Sequence, residues 1–265
     1  MHMNPVSISL SSFGATLVRE RGQAAFIPLL VDCGVSRIEL REELFTGEDF
    51  PALANAIAAQ GLECLYSSPL ELWLPDQAQP NAALAATLER AHACGAQWLK
   101  VSLGHFTDDC DVQALSAQLA RQPVQLLVEN DQSAHGGLIA PFCAFFTRVQ
   151  SLTPAIAMTF DVGNWQWQDQ DVMRAAAQLG RHVRYVHFKA VTRKADGRLA
   201  ATPPTEADLP HWCAVLAHMP AAVPRAIEYP LQGDDLQDVT LTQVRLLARL
   251  APPAPVQSAQ VAHHG

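Results

Sequence analysis

Short apolar runs alternate with longer segments of helical periodicity from one end of the chain to the other. The runs are almost entirely apolar, as expected of parallel strands that are buried on both faces. Eight strands are predicted, over Val6–Leu10, Arg37–Leu40, Leu62–Ser67, Trp98–Leu103, Val124–Glu129, Ile156–Asp161, Val183–Phe188 and Ala222–Glu228.

The segments between these runs have the apolar spacing of amphipathic helices. Asn81–Cys94 is the clearest, because it is rich in Ala, carries Leu84, Leu88 and Ala91 on one face and is followed by Gly95. The predicted helices are Gly22–Cys33, Pro51–Gln60, Asn81–Cys94, Asp111–Ala120, Leu138–Ser151, Gln170–Leu179, Glu206–His218 and Leu236–Leu250.

This alternation predicts an α/β fold of parallel strands joined by helical crossovers. Eight rounds within about 250 residues match the size of a (β/α)₈ TIM barrel, so one barrel domain is expected over residues 1–250. The alternative is an open doubly wound sheet, but no GxGxxG follows the first predicted strand. Residues 251–265 are rich in Pro, Ala and Gln without apolar periodicity, which predicts a mobile C-terminal tail.

Composition and charge narrow the function classes. The chain has 265 residues, 49% hydrophobic and 17% charged, with a net charge of -8, so we expect no broad basic surface and no nucleic-acid or membrane partner. It has no apolar stretch near the roughly 20 residues of a membrane helix and no leader pattern, which predicts a cytoplasmic protein. The six cysteines form no CxxC pair and are expected to be reduced.

The last four predicted strands each carry, at the end or one residue before it, a residue that can bind a metal ion: Glu129, Asp161, His187 and Glu228. In a barrel the carboxyl ends of all strands open on one face, so these side chains are expected to converge. Three carboxylates and one imidazole suit Mn²⁺, Mg²⁺, Co²⁺ or Zn²⁺ with positions left open for substrate. Since no thiolate is present, we predict a catalytic site for one divalent metal ion rather than a closed structural site.

These residues lie in four motifs: VEN at Val128–Asn130, FDVGNW at Phe160–Trp165, VHFK at Val186–Lys189 and IEY at Ile227–Tyr229. On these motifs, and over essentially all of residues 6–250, the chain resembles the xylose-isomerase-like superfamily of TIM-barrel sugar isomerases and epimerases. The resemblance implies that the four strand-end residues bind one metal, and that Glu129 and Glu228 also form the acid/base pair. A looser similarity is to the epimerase of bacterial 2-ketogluconate utilisation operons.

Further residues are predicted to contact substrate. By the resemblance, Arg193 falls where many members hold a substrate oxygen, and Glu39 matches an acidic position near the pocket. By its position beside a ligand, Lys189 is expected either to hold a substrate hydroxyl or to pair with that ligand. His105, which follows the fourth predicted strand, is expected to line the pocket.

The chain departs from the resembled pattern at two positions. Asn164 stands where many members have a His, and Ala190 follows Lys189 where many have an Asp. Neither change removes one of the four predicted ligands, but both alter how substrate oxygens would be held. We therefore place Asn164 among the predicted substrate contacts and leave the identity of the substrate open.

The predicted chemistry is proton transfer next to a carbonyl. One Glu removes a proton, the metal stabilises the resulting enediolate and the other Glu returns a proton, which predicts an isomerase or epimerase of a small sugar or keto acid. The alternatives are a dehydratase or lyase on a sugar-derived substrate, and a barrel that binds such a ligand without turnover. An abasic-site endonuclease is disfavoured, because the chain lacks the strand-end histidines and the basic groove of those multi-zinc sites. The oligomeric state, homo-oligomers included, is left open.

Overall fold

Eight parallel strands close into a barrel in the computed structural model, which describes residues 4–252. The strands along the chain are β1 (Val6–Ser9), β2 (Arg37–Arg41), β3 (Glu63–Trp73), β4 (Trp98–Gly104), β5 (Gln125–Glu129), β6 (Ala157–Asp161), β7 (Val183–Phe188), β8 (Ala190–Arg193), β9 (Leu199–Thr202) and β10 (Arg225–Ile227). The antiparallel pair β8–β9 stands apart, and β10 pairs with both β7 and β1, with Ile8 opposite Ile227. The predicted single-domain (β/α)₈ barrel is confirmed, and the open sheet is wrong.

Helices connect the strands of the barrel. They are α1 (Ala15–Arg21), α2 (Ile27–Asp32), α3 (Phe50–Ala59), α4 (Leu84–Ala93), α5 (Val112–Leu119), α6 (Ile139–Val149), α7 (Val172–Leu179), α8 (Asp208–Leu216) and α9 (Leu236–Arg249). Short 3-10 helices lie at Leu10–Phe13, Gln23–Phe26, Glu42–Leu44, Asn164–Gln168 and Gly180–His182. Among residues 4–252, no helix combines the length and the apolar character that crossing a membrane requires. All six cysteines are free, as expected.

Helix starts are marked by aspartates. The carboxylate of Asp49, Asp111, Asp171 or Asp235 accepts hydrogen bonds from backbone N–H groups in the first turn of α3, α5, α7 and α9, respectively. The first turn of a helix leaves these N–H groups without a partner inside the helix, so each cap stabilises the start at which it stands.

Two elements were not predicted from the sequence. The segment Ala15–Arg21 forms α1, although Val18 is its one fully buried residue and no apolar face marks it. The segment 190–202, for which no strand or helix is predicted, forms the β8–β9 hairpin, and Gly197 has a φ of +83° in its turn. In both places local hydrogen bonding, rather than an apolar pattern, determines the structure.

Two strand ends also differ from prediction. β3 continues past Ser67 to Trp73, because its pairing with β4 resumes after a shift in register. β10 ends at Ile227, so Glu228 stands one residue past the strand. Its backbone N–H still donates to the carbonyl of Phe188, which keeps Glu228 at the barrel rim. Of the predicted C-terminal tail, residues 253–265 lie outside the described residues.

The two-residue period of the strands divides the barrel interior into an apolar floor and a polar mouth. The apolar floor is the buried cluster of Leu65, Leu127, Ala157, Tyr185 and Ala226. Two positions after Leu127, Tyr185 and Ala226 come Glu129, His187 and Glu228. Because side chains two apart in a strand share a face, the residues that follow the floor project into the same interior, at its carboxyl end.

Candidate metal centre

The structure brings Glu129, Asp161, His187 and Glu228 together at the ends of β5, β6, β7 and β10, which are neighbours in the barrel. One candidate ligand atom of each lies within 4.8 Å of the others. His187 Nδ1 lies 2.6 Å from Glu129 Oε1 and 3.2 Å from Glu228 Oε2. Its distance to Asp161 Oδ2 is 3.9 Å. We call these four residues the central cluster.

The orientation of His187 is set from below by Glu39. The two side chains are fully buried, and His187 Nε2 lies 2.7 Å from Glu39 Oε2, which also accepts a hydrogen bond of 3.1 Å from the Tyr185 hydroxyl. A carboxylate on one ring nitrogen takes the N–H and leaves the lone pair of the other nitrogen free for a metal. The structure thus places Glu39 beneath a candidate ligand, fully buried, and its predicted contact with substrate stays a prediction.

Three candidate ligand atoms lack a hydrogen-bond partner of good geometry among the described residues. They are Glu129 Oε1, Asp161 Oδ2 and His187 Nδ1, all buried. Their close contacts are ion pairs, between His187 Nδ1 and Glu129 Oε1 and between Lys189 and Asp161 Oδ2, and buried ion pairs without full hydrogen bonding offset the cost of desolvation only in part. A divalent cation among these atoms would satisfy all three at once, so the donor set fits a metal of the kind predicted from the sequence.

The Asp161 carboxylate is held by the loop that follows it. Its Oδ1 accepts from the backbone N–H of Gly163 at 2.8 Å and of Asn164 at 2.9 Å, which turns Oδ2 towards the central cluster. Asn130 bonds to both backbone groups of Asp161, and Asn164 Nδ2 donates to the Asn130 carbonyl at 2.8 Å. Asn164 thus ties two barrel loops together at the pocket edge, and its predicted contact with substrate stays a prediction.

Three cationic side chains pair with the carboxylates of the cluster, and we call them the cation triad. Lys100 contacts Glu129 Oε2, and Arg41 Nη1 lies 2.8 Å from Glu228 Oε1. Lys189 Nζ lies 2.7 Å from Asp161 Oδ2 and 2.8 Å from Glu228 Oε2. Of the two roles expected for Lys189, the structure shows the pairing with candidate ligands.

Two members of the cation triad were missed by sequence reasoning. Lys100 is a lone charge within the otherwise apolar strand WLKVSLG, and a lysine there has to find a buried partner. That signal was available in the sequence. Arg41 stands in a run of charged residues, REE, which is typical of a solvated loop and conceals the one side chain that turns inward.

Neighbouring charges separate the acidities of two of the carboxylates. Burial and the charges of Glu228 and Glu129 outweigh Lys189 and raise the pKa of Asp161 to about 7. In Glu129, the charges of Lys100 and His187 outweigh burial and lower the pKa to about 2. Without a metal, Asp161 is therefore the carboxylate that takes a proton most readily.

Glu228 and His187, the other two members of the central cluster, each shift the pKa of the other. Burial by itself would raise the pKa of Glu228, but His187 and Lys189 hold it well below its usual range. Burial by itself would lower the pKa of His187, but Glu228 and Glu39 raise it well above its usual range. The raised pKa favours the protonated ring of His187. A metal at Nδ1 would have to displace a proton from this ring, so metal binding and proton release would be coupled.

A polar cavity of about 300 Å³ opens over the central cluster. Its walls include the whole cation triad, Glu129 and Glu228. Ligand pockets begin at about this size, so the cavity admits a small polar molecule.

Two predicted pocket residues lie elsewhere. Arg193 is exposed on the β8–β9 hairpin, where Nη1 donates to the Gly197 carbonyl at 2.7 Å. His105 stacks on His135 with 3.7 Å between ring centroids, and His135 Nε2 lies 2.8 Å from Glu71 Oε1. We call Glu71, His105 and His135 the peripheral cluster, since their ligand atoms also lie within 4.8 Å of one another. Neither Arg193 nor His105 is among the described residues that line the central cavity, so its geometry gives their predicted roles no support.

No protein-family model matches the chain, and neither does any curated protein sequence. Solved structures do match it in fold. IolI with a bound zinc atom superposes with a TM-score of 0.70 at 11% identity, over 92% of this chain and 97% of that chain. D-allulose 3-epimerase from Methylomonas sp. in complex with D-allulose has a TM-score of 0.67 at 12% identity, over 94% and 98%.

A third solved structure is the probable 3-DHS dehydratase AsbF from Bacillus anthracis, with a TM-score of 0.63 at 14% identity, over 92% of this chain and 98% of that chain. Identities this low carry an argument about fold and not about activity. The chain therefore shares the barrel fold of xylose-isomerase-like epimerases and isomerases, as the motif resemblance predicts.

Proposed function

We propose that the central cluster is the active site of a divalent-metal-dependent isomerase or epimerase of a small sugar or keto acid. One observation carries the proposal: Glu129, Asp161, His187 and Glu228 each direct a candidate ligand atom at one point, and the first three of these atoms are buried with no hydrogen bond of good geometry in the described part of the chain. The shared fold of a sugar epimerase and of a zinc-containing barrel supports it. Mn²⁺, Mg²⁺, Co²⁺ and Zn²⁺ all suit the donor set.

When bound, the metal supplies Lewis-acid stabilisation of the negative charge that develops on substrate oxygens. The proton chemistry belongs to the side chains. In the proposed reaction Glu129 or Glu228 removes a proton from the carbon next to the substrate carbonyl, and the other Glu returns one. Return to the opposite face of the same carbon gives epimerisation. Return to the former carbonyl carbon, with the hydroxyl proton moved to the former carbonyl oxygen, gives isomerisation.

Glu129 and Glu228 have similar surroundings. Each directs one carboxylate oxygen towards His187 Nδ1 and the other towards a cation, Lys100 for Glu129 and Arg41 for Glu228. The cations fix both carboxylates within the cavity, and a base held in place is what proton abstraction at carbon requires. Their similar settings suit a reaction in which either group acts as base or as acid.

The test is proton exchange with solvent. Mn²⁺-loaded protein is incubated in D₂O with a panel of ketoses and 2-keto acids, and the loss of the signal next to the carbonyl is followed by NMR. We expect exchange that requires metal and falls by about 10²–10⁴-fold in Glu129→Gln and in Glu228→Gln, the range for loss of a general acid or base. Glu89→Gln, on the exposed side of α4, is the matched control and keeps full exchange.

Two results would contradict the proposal. Absence of bound metal together with absence of exchange would remove the active site altogether. Bound metal with tight binding of a sugar or keto acid, but no exchange, would identify a barrel that binds its ligand without turnover.

A dehydratase is the second candidate. It shares the first proton abstraction and then expels a hydroxyl one carbon further on, which needs an acid close to the leaving oxygen. The buried ammonium groups of Lys100 and Lys189 line the cavity where such an acid is needed, and the fold of AsbF is compatible. A product lighter by one water in the mass spectrum, in place of a substrate deuterated at carbon, would favour this candidate.

A further inference from the structure

The cation triad places three positive charges in the wall of the cavity, in addition to the charge that a bound metal would bring. The side chains of Arg41, Lys100 and Lys189 are 17%, 6% and 6% exposed, and all three line the cavity. Each is paired with a carboxylate of the central cluster. A buried charge is stable only beside a partner of opposite charge. If these carboxylates are neutralised, the buried cations lose the partners that stabilise them.

With a divalent ion bound, the buried charges no longer balance. The central cluster supplies three carboxylates and Glu39 a fourth, while His187 binds as the neutral imidazole. Three positive charges from the cation triad and two from the ion then face four negative ones, which leaves one positive charge in excess. Without the triad, the same carboxylates and ion would carry two negative charges and would repel an anion.

Carboxylates at the rim do not remove this excess. Glu43 reaches Arg41 from the solvent side and is 35% exposed, so water and salt screen it. Asp131 also borders the cavity and keeps its charge, but it is half-buried, so water and salt screen it as they screen Glu43; its Oδ1 accepts from the backbone and the hydroxyl of Ser133 in its own loop.

Lys189 is the cation that a bound metal affects most. Its two partners are Asp161 Oδ2 and Glu228 Oε2, atoms that also belong to the candidate ligand set. Lys100 and Arg41 instead contact the other carboxylate oxygens of Glu129 and Glu228. A metal held by Asp161 and Glu228 would compete with Lys189 for these two carboxylates, and the Lys189 ammonium group, which lines the cavity, would then gain from an anionic partner.

We propose that the substrate carries a carboxylate next to its reacting carbonyl, as in a 2-keto acid, and that Lys189 receives this carboxylate. The inference rests on the proposed function and narrows its substrate class to acids. One carboxylate matches the single excess charge, whereas a phosphate monoester carries about -1.5 to -2 and exceeds it. A cavity of about 300 Å³ also suits a short acid.

The test compares hydroxypyruvate with dihydroxyacetone, which differ in one carbon, a carboxylate against a hydroxymethyl group. Their affinities for the Mn²⁺-loaded full chain are measured by titration calorimetry, after metal content has been determined. We expect hydroxypyruvate to bind about tenfold more tightly or better, the contribution of one charge-assisted hydrogen bond. Lys189→Met should reduce the preference to about twofold or less. Lys194→Met, an exposed lysine of the same hairpin region, should leave it unchanged.

Further outcomes separate this inference from the proposed function. Equal affinities with metal bound, or a preference that survives in Lys189→Met because the acid simply chelates the metal, would overturn the inference alone. Tighter binding of dihydroxyacetone phosphate than of hydroxypyruvate would replace the carboxylate by a phosphate. A wild-type chain without metal would overturn both proposals. If Lys189→Met loses metal, Lys189→Arg restores the charge and is expected to keep the preference, whereas its loss would count against the carboxylate contact.

Discussion

The central and peripheral clusters contain the same types of side chain at the same end of the barrel, yet they differ in burial and in hydrogen bonding. In the central cluster, His187 is fully buried and oriented by Glu39. In the peripheral cluster, Glu71 and His135 are 31% and 32% exposed and bond to each other, while His105 stacks on His135 with 20° between the ring planes.

The comparison shows that residue type and proximity do not by themselves make a metal site. The imidazole rings of the peripheral cluster stack on each other, His135 bonds to Glu71, and the groups of this cluster are open to solvent. The central cluster instead gathers three carboxylates and one imidazole around one buried point, where a cation gains most. We therefore expect metal at the central cluster and none at the peripheral one.

Removal of one imidazole from each cluster is the strongest way to break this comparison. His187→Ala is expected to weaken Mn²⁺ binding by more than about 100-fold, since loss of an outer-shell partner alone weakens metal affinity by about 10–100-fold. His135→Ala is expected to leave the affinity unchanged. Equilibrium dialysis with metal analysis measures both. An equal loss in the two variants would show that the clusters do not differ as we infer.

Loss of the group that orients His187 should have a smaller effect. Glu39→Gln keeps the shape of the side chain but removes its charge. The lone pair of His187 Nδ1 then binds a metal more weakly, and the metal affinity is expected to fall about 10–100-fold. Glu71→Gln, the matched change in the peripheral cluster, should have no effect. Titration with Mn²⁺ measures the affinity, and an unchanged value in Glu39→Gln would mean that the ring is held by packing alone.

A change of pH should have the smallest effect on metal affinity. The raised pKa values of Asp161, about 7, and of His187 mean that protons compete with the metal, so metal affinity rises as the pH rises through this range. Between pH 6 and pH 8 we expect an increase of about tenfold or more, with proton uptake or release measured by calorimetry in buffers of different ionisation enthalpy. An affinity that does not change with pH would mean that the apo cluster binds no extra proton.

The architecture was predictable from sequence because burial on both faces leaves a continuous apolar run, which identifies a barrel strand without knowledge of its neighbours. The runs ending at Glu129, Asp161 and His187 were located in this way. Segments whose structure depends on local hydrogen bonds left no such pattern. The short helix α1 and the β8–β9 hairpin were not predicted for this reason. Arg193 lies on that hairpin, where it bonds to the Gly197 carbonyl, and does not line the cavity.

By itself, the sequence determined the barrel and the convergence of four candidate ligands at its strand ends, because strand period and barrel closure send successive strand ends to one face. Only the tertiary structure decided which charges meet them. Arg41 and Glu228 are 187 residues apart in the chain and 2.8 Å apart in space. A contact between distant strands depends on side-chain direction and burial, neither of which a local pattern encodes. For the same reason, the contact of Glu39 with His187 and the charge balance from which we infer the substrate class emerged only from the folded chain.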